Sequence, residues 1–320
     1  MNVQTKAQSG SGVGLSFLDG RIDGVRRSAR REVRRGFVEE RVVEPQKLVP
    51  ADLGSILVFA GIWRNAGLIA SLTRREVAAR YRGSWLALLW PGLQPLLLLG
   101  VYTFVFSLVF GARWPGIYES DVAGYAIVVF SGLVTFNIFS ESVRPCPKLI
   151  RSNRTFVHRV VFPLEILPVV QVATALIHAG IGFVVMIVVM VLSGATIHTT
   201  AFALPFVWFG FAVFTLGICY AVAAAAVFVR DLEPLVAIAL TGAFFGSAIF
   251  YPLERLPEEI EGWVRLLPTA AAVDLSRRLL LLGELPPIAT MVGPAAISVG
   301  TLFVGYIGFM KAKGLFADAL

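Results

Sequence analysis

The sequence predicts an all-α membrane protein with six transmembrane helices, and three observations carry that prediction. Hydrophobic residues make up 57% of the 320 and charged residues only 15%, with a mean hydropathy of +0.76, a balance outside that of a soluble domain. Several apolar stretches run for about 20 residues or more, each long enough to cross a hydrocarbon core of roughly 30 Å as a helix. The basic residues gather in alternate connections between those stretches, as cytoplasmic loops do.

Residues 1–53 form a polar tail. Up to Pro50 it carries ten basic and six acidic residues, a composition expected to be largely disordered, with helix in its Arg-rich part. It has no apolar core of the kind a secretory signal requires. Residues 54–84 are expected to form an amphipathic helix lying in the cytoplasmic interface. Leu68, Ile69, Leu72 and Ala79 share one face there, while Arg74, Arg75 and Arg82 point away toward the head groups.

The membrane domain is expected over 85–320. Its first span, 85–110, rises roughly 39 Å, and Pro91 and Pro95 supply a bend. The others are expected at 122–140, 161–192, 201–229, 235–250 and 288–310, with the first turns of the third outside the hydrocarbon. Between the last two, 251–287 mixes Glu254, Glu258, Glu259, Glu261, Asp274 and Glu284 with apolar helical runs. Two short re-entrant helices shielded by protein account for that mixture.

Charge sets the orientation. The connection 144–159 carries Arg144, Lys148, Arg151, Arg154 and Arg159 and no acid, whereas 193–200 has neither Lys nor Arg. With Lys311 and Lys313 after the last span, both termini are expected in the cytoplasm of an inner-membrane protein.

Several chemistries are excluded. The net charge of +7 does not sit in a soluble basic module with interleaved aromatics, so no nucleic-acid partner is expected. Cys146 and Cys219 imply no disulfide framework. His158, His178 and His198 lack metal-ligand spacing, although His178 is an ionisable group within a span. The Gly10-Ser11-Gly12-Val13-Gly14 run has no following Lys-Ser or Lys-Thr and is no phosphate loop. The span centres are nearly free of carboxylates, which disfavours ion coupling. Were the chain a pump, its energy would have to come from ATP hydrolysed on another chain.

Aromatic residues concentrate on the first span, at Trp85, Trp90, Tyr102, Phe104 and Phe106, and near the fifth, at Phe244, Phe245, Phe250 and Tyr251. Interface belts and ordinary packing are one explanation; the other is a passage whose π-faces make weak, repeated contacts with sugar rings. Gly242 and Gly246 stand four residues apart on the fifth span and suit a dimer seam.

The run from Arg74-Arg75-Glu76 through Ala79-Arg80-Tyr81-Arg82-Gly83-Ser84-Trp85 to Trp90-Pro91-Gly92, followed by Val101-Tyr102-Thr103-Phe104-Val105-Phe106, resembles the permease subunits of type-2 ABC exporters for polysaccharides and polyol phosphates. The likeness recurs at Ile150-Arg151-Ser152-Asn153, at Phe162-Pro163-Leu164-Glu165, at Arg230-Asp231-Leu232 and at Ile249-Phe250-Tyr251-Pro252. It covers about 65–320, and the Arg-rich tail departs from it.

The resemblance implies a homodimer bound to two copies of a separate ABC ATPase, which would hold the ATP and Mg, with no cofactor in this chain. It implies that a short helix near 147–158, bearing Lys148, Arg151, Ser152, Asn153 and Arg154, couples to that ATPase; simple positive-inside anchoring is the alternative. It makes Arg80 and Arg82 contacts for the pyrophosphate of a lipid-linked glycan. Rival readings are a type-2 exporter of small hydrophobic drugs or lipids, and a membrane scaffold that transports nothing.

Overall fold

The computed structural model describes residues 61–81, 90–109, 111, 114, 122–153, 162–229 and 231–316. The tail 1–53, Arg82, Trp85, Arg154 and 155–159 lie outside the described residues. Helix α1 spans Ala66–Tyr81. Helix α2, Trp90–Tyr102, continues as a π-helical stretch, Thr103–Val109. Then come α3 (Val122–Val143), the short α4 (Cys146–Ser152) and α5 (Ile166–Leu192). A 3₁₀ turn at Thr199–Ala203 leads into α6 (Leu204–Phe228), and α7 covers Leu232–Gly246. Two short helices follow, α8 (Glu258–Leu266) and α9 (Pro268–Arg277), the second running into a π-helical turn at Arg278–Leu282. The last helix, α10, is Ile288–Lys313. No strand occurs among the described residues.

Local sequence explains several boundaries. Proline stands in the first turn of α4, α6 and α9, where its missing N–H costs no helical bond. Gly283 ends the π-helical turn after α9 in the left-handed conformation, φ +70°, which glycine adopts without strain.

Four segments are long and apolar enough to cross a bilayer alone: Gly124–Ser152, Ile166–Leu192, Thr199–Phe228 and Ile288–Lys313. The first and fifth expected spans appear as shorter apolar helices, Leu96–Val109 and Leu232–Gly246. The fifth was expected to run to residue 250, and the helix stops four residues earlier. Arg277 takes up the carbonyls of Ala248 and Ile249, and Ala248 sits at φ +52°, so the helical ladder cannot continue there.

Helix α3 is the centre of the bundle. Of its apolar window 83% is buried, against 28% for α5 and 22% for α10, so those two present most of their surface to the surroundings. It packs against α2, α5, α6 and α9. Apolar surface gains little by leaving lipid, so close contact and buried hydrogen bonds must hold such a bundle. The crossing of α6 and α10 shows this: a Cβ at Gly305 would collide with the Gly217 carbonyl, and one at Gly217 would lie 2.5 Å from Thr301 C. The pair run in the same direction, with Tyr220 against Tyr306 and Phe309, and Phe228 against Phe316. Tyr220 also donates its hydroxyl to the Glu165 carbonyl at 2.8 Å, and Lys313 Nζ pairs with the Glu165 carboxylate at 2.6 Å.

The bundle has two chemically different ends. One carries α4, the Lys313–Glu165 pair and the close of α6. At the other, Thr200 donates to the Leu279 carbonyl, Arg277 Nε donates to the Val128 carbonyl, Gly283 lies against His198, and Leu266 packs on Gly293. The two short helices α8 and α9 therefore stack on the end opposite the basic connection.

Helix α1 runs alongside the start of α5. Ile69 packs on Ile166 and Val170, and Arg80, eleven residues on, reaches His178. Its inward side comprises Ile69, Leu72 and Thr73, whereas Leu68 and Ala79 of the expected apolar face are exposed.

Candidate functional site

Of the expected passage aromatics, Tyr102, Phe106, Phe244, Phe245 and Phe250 meet where α2, α3, α7 and the unwound chain after α7 come together, and Phe104 is not among them. Phe106, in the π-helical stretch, stacks on Phe250 with ring centres 4.5 Å apart and planes 15° apart. Tyr102 lies 5.1 Å from Phe250 and 5.9 Å from Phe244. Phe244 touches Phe245 and Phe250, each through an edge-to-face contact. The π-helical stretch inserts a register shift between Tyr102 and Phe106, and such bulges recur at functional positions.

The cluster continues into the bundle through rings that the sequence pattern did not single out. Phe136 of α3 meets Phe244 edge-on at 5.4 Å, and Phe139 leads on to Phe211 and Phe214 of α6. Offset and edge-to-face geometries stabilise each such pair by about 0.5–1.5 kcal/mol beyond their burial. Phe245 is 53% exposed and Phe104 59% exposed, while Phe136 is buried among the helices. Tyr251 is half-buried and donates to the Phe245 carbonyl at 2.9 Å. Trp85 lies outside the described residues, and of Trp90 only its place at the start of α2 is described.

Helix α4 is fixed by a buried side of Cys146, Pro147, Leu149 and Ile150. Arg151 Nη2 donates to the Val227 carbonyl at 3.2 Å, satisfying an acceptor in the last turn of α6 that has no helical partner. Lys148 Nζ pairs with Glu233 Oε1 at 2.6 Å, in the first turn of α7, where an acid also complements the helix dipole. Asn153 and Ser152 cap the helix by bonding the Leu149 carbonyl. Lys148, Arg151, Ser152 and Asn153 thus sit on one short helix bridged to both arms of the α6–α7 hairpin.

Gly242 and Gly246 have nothing within 4 Å of an added Cβ. On α7 only Val236 and Leu240 are buried, and Leu235, Ile238 and Phe245 leave much of its surface exposed.

Residues 67–281, more than half of the chain, match the family model described as ABC-2 type transporter. The chain belongs to the ABC-2 type transporter family. It is similar to the O-antigen export system permease protein RfbA of Myxococcus xanthus, 30% identical over 263 residues, covering 81% of this chain and 97% of that protein. The O-antigen export system permease protein RfbA of Klebsiella pneumoniae is 25% identical over 219 residues, 68% of this chain and 82% of the relative. The polysialic acid transport protein KpsM of Escherichia coli is 24% identical over 243 residues, 74% and 90% of the two chains.

As an ABC-2 transporter the chain is an integral membrane protein, and the matched region spans both aromatic groups, α4 and the two short helices. Three charged features of this ABC-2 chain were not foreseen. Arg277, 3% exposed, donates from each of its three side-chain nitrogens to backbone: Nε to Val128 at 3.3 Å, Nη1 to Ala248 at 2.6 Å and Nη2 to Ile249 at 2.5 Å. Its guanidinium also lies 4.3 Å from the centre of the Trp114 ring. Nearby, a cleft of about 360 Å³ is lined by Arg265, Asp274 and Arg278 among apolar side chains. Glu254, Glu261 and Asp274 balance its two arginines. Burial pulls against the charge on Arg265, but the bonds and charge of Glu261 and Glu254 outweigh it and hold the group above the ordinary arginine range. The adjacent pair Arg277-Arg278 inside the otherwise apolar run 266–282 was the available signal for Arg277. Glu141, an acid near the close of the second span, was the corresponding signal for the pairing of Arg80 with Glu141 and His178.

Proposed function

We propose that this chain is the transmembrane subunit of an ATP-driven exporter that carries a lipid-linked polysaccharide across the inner membrane. Similarity to permeases named for O-antigen export and polysialic acid transport supports the substrate class. The observation that carries the reading is the continuous ring cluster from Phe106 through Phe250, Tyr102 and Phe244 to Phe136. Aromatic faces grip sugar rings weakly and at many registers, which suits a polymer that must slide.

In this reading the subunit crosses the membrane six times with both termini in the cytoplasm. It works as a homodimer whose exposed α7 faces, Gly242 and Gly246 included, approach a second copy. Two ABC ATPase subunits bind ATP and Mg and push on α4. Through Arg151 and Lys148 that push reaches the ends of α6 and α7, and α7 carries Phe244 and Phe245. Arg80 receives the pyrophosphate of the incoming lipid-linked glycan, and Arg82 is proposed as a second contact.

The test is reconstitution of the chain with its ATPase in lipid bilayers, with glycan-stimulated ATP turnover as the readout, beside deletion of the gene and assay of surface glycan. Stimulation and loss of surface glycan are expected. Turnover indifferent to glycan, with surface glycan intact in the deletion strain, would sink the proposal.

A further inference from the structure

Three ionisable side chains from three helices meet at one oxygen atom. Arg80, in the last turn of α1, places Nη1 at 2.9 Å from Glu141 Oε2, and His178 of α5 places Nδ1 at 2.7 Å from the same oxygen. Arg80 Nη1 and His178 Nδ1 are themselves 2.9 Å apart. That nitrogen cannot both give a proton to Glu141 and accept one from Arg80. With the carboxylate ionised, the consistent arrangement has Oε2 accepting from both donors, which fixes a proton on His178 Nδ1.

The level of this cluster is informative. Glu141 stands two residues before the end of α3 at Val143. His178 lies about a dozen residues into α5, roughly 18 Å from its start, so the early turns of α5 extend past the close of α3, and α1 lies beside them. The three groups therefore lie at the close of α3, where the chain turns toward Arg144, Lys148 and Arg151, and we place the membrane boundary there. Lipid phosphates lie at such a boundary.

Among the described residues, every hydrogen bond of Arg80 runs through Nη1, and its side chain is 47% exposed. Nε and Nη2 present the planar fork that suits a phosphate. Glu141, 28% exposed, is the anion already in possession, and His178, 9% exposed, is its second donor. If a phosphate takes Arg80, Glu141 keeps the His178 proton and is not left as a bare buried charge, the outcome that makes breaking such pairs costly.

We propose that Arg80 and Glu141 form an exchangeable ion pair, at which the phosphate head of a membrane lipid displaces the Glu141 carboxylate while His178 retains it. The exchange stands on this geometry alone; that the lipid is the transported substrate rests on the exporter reading above. Glu141 is thus a positioning residue that sets how tightly the head group is held and how readily it leaves.

The test uses the full complex of the chain with its ATPase in phosphatidylcholine nanodiscs, titrated with undecaprenyl pyrophosphate. Glu141→Gln tightens binding about three- to fivefold, the worth of one partly exposed ion pair. Arg80→Gln weakens binding about tenfold, and the double variant binds no more tightly than Arg80→Gln alone. Unchanged or weaker binding in Glu141→Gln, or a double variant that gains as much as Glu141→Gln does, overturns the exchange. Should Glu141→Gln fail to assemble, Glu141→Asp decides, since the shorter side chain withdraws from Arg80 and shifts binding in the same direction.

Parallel titrations with phosphatidylglycerol and inorganic pyrophosphate separate the sources of phosphate. A response confined to undecaprenyl pyrophosphate supports the substrate lipid. An equal response to phosphatidylglycerol overturns that assignment, and a response to inorganic pyrophosphate alone overturns the lipid. In glycan-stimulated ATP turnover, Glu141→Gln lowers both the half-saturating concentration and the maximal rate; a fall in maximal rate alone counts against the exchange. Absence of any stimulation in the wild-type complex removes the exporter reading, and the binding titrations still decide the ion pair.

Discussion

Arg277 donates from Nη1 to the carbonyl oxygen of Ala248 at 2.6 Å and thereby holds a left-handed alanine, φ +52°, at the point where α7 stops. Left-handed backbone costs a non-glycine residue roughly 1–2 kcal/mol, so the conformation needs an external hold. The neighbouring bonds to Ile249 and Val128 extend the same hold from α9 to α3. The break matters because Phe250, which stacks on Phe106, lies just beyond it.

Replacing Arg277 therefore has a predictable sign. Arg277→Met leaves three buried carbonyls without their donor, and a loss of about 2–4 kcal/mol in unfolding stability is expected. Arg277→Lys keeps a charge but offers a compact donor in place of a fork, so it recovers only part of that loss. Thermal unfolding of the detergent-solubilised protein measures both, and a Lys variant as stable as the wild type would show that the fork geometry is unimportant.

The crossing of α6 and α10 makes a second, independent expectation. Gly305→Ala drives a methyl into the Gly217 carbonyl and Gly217→Ala drives one into the backbone at Thr301. Each should separate the helices and lower stability by about 1–3 kcal/mol, as overpacking does. Gly300→Ala, on the same helix with nothing within 4 Å, is the control and should gain slightly from helix propensity. Equal melting temperatures for all three would mean that the two backbones do not approach as described.

Packing and passage roles of the aromatics separate by burial. Phe136→Ala empties a buried site and should cost about 3–5 kcal/mol. Phe245→Ala, at a ring 53% exposed, should leave unfolding within about 1 kcal/mol of wild type yet reduce glycan export. Export assayed beside stability in the two variants checks this, and Phe245→Ala with full export would remove that ring from the passage.

Much of the bundle was legible because lipid imposes a strong local pattern. The apolar runs at 166–192, 204–228 and 288–313 fall within a few residues of their expected spans, and the acidic stretch after α7 does fold into two short helices. What local pattern cannot carry is pairing across distance. Arg80 meets Glu141 and His178 at separations of 61 and 98 residues, and Arg277 reaches Val128 across 149. The early end of α7 follows from the bonds of Arg277 to Ala248 and Ile249, 29 and 28 residues away, which explains why hydropathy extended the span to residue 250. The inward side of α1 was misjudged for the same reason: its contacts with α5 and with the Glu141 carboxylate turn Thr73 inward and leave Leu68 exposed.

Lys148 supplies the last expectation, because its resting partner is within the chain. Its pair with Glu233 is largely exposed on both sides, so it adds no more than about 1 kcal/mol to stability, and Lys148→Glu should leave the melting temperature nearly unchanged. The like charges it brings together should push α4 away from α7, reducing the glycan exported per ATP hydrolysed. Lys148→Glu combined with Glu233→Lys restores the attraction and should recover most of the coupling. If instead Lys148 acts by touching the ATPase, the swapped pair stays as poorly coupled as the single variant, and α4 is joined to α7 by something other than this bridge.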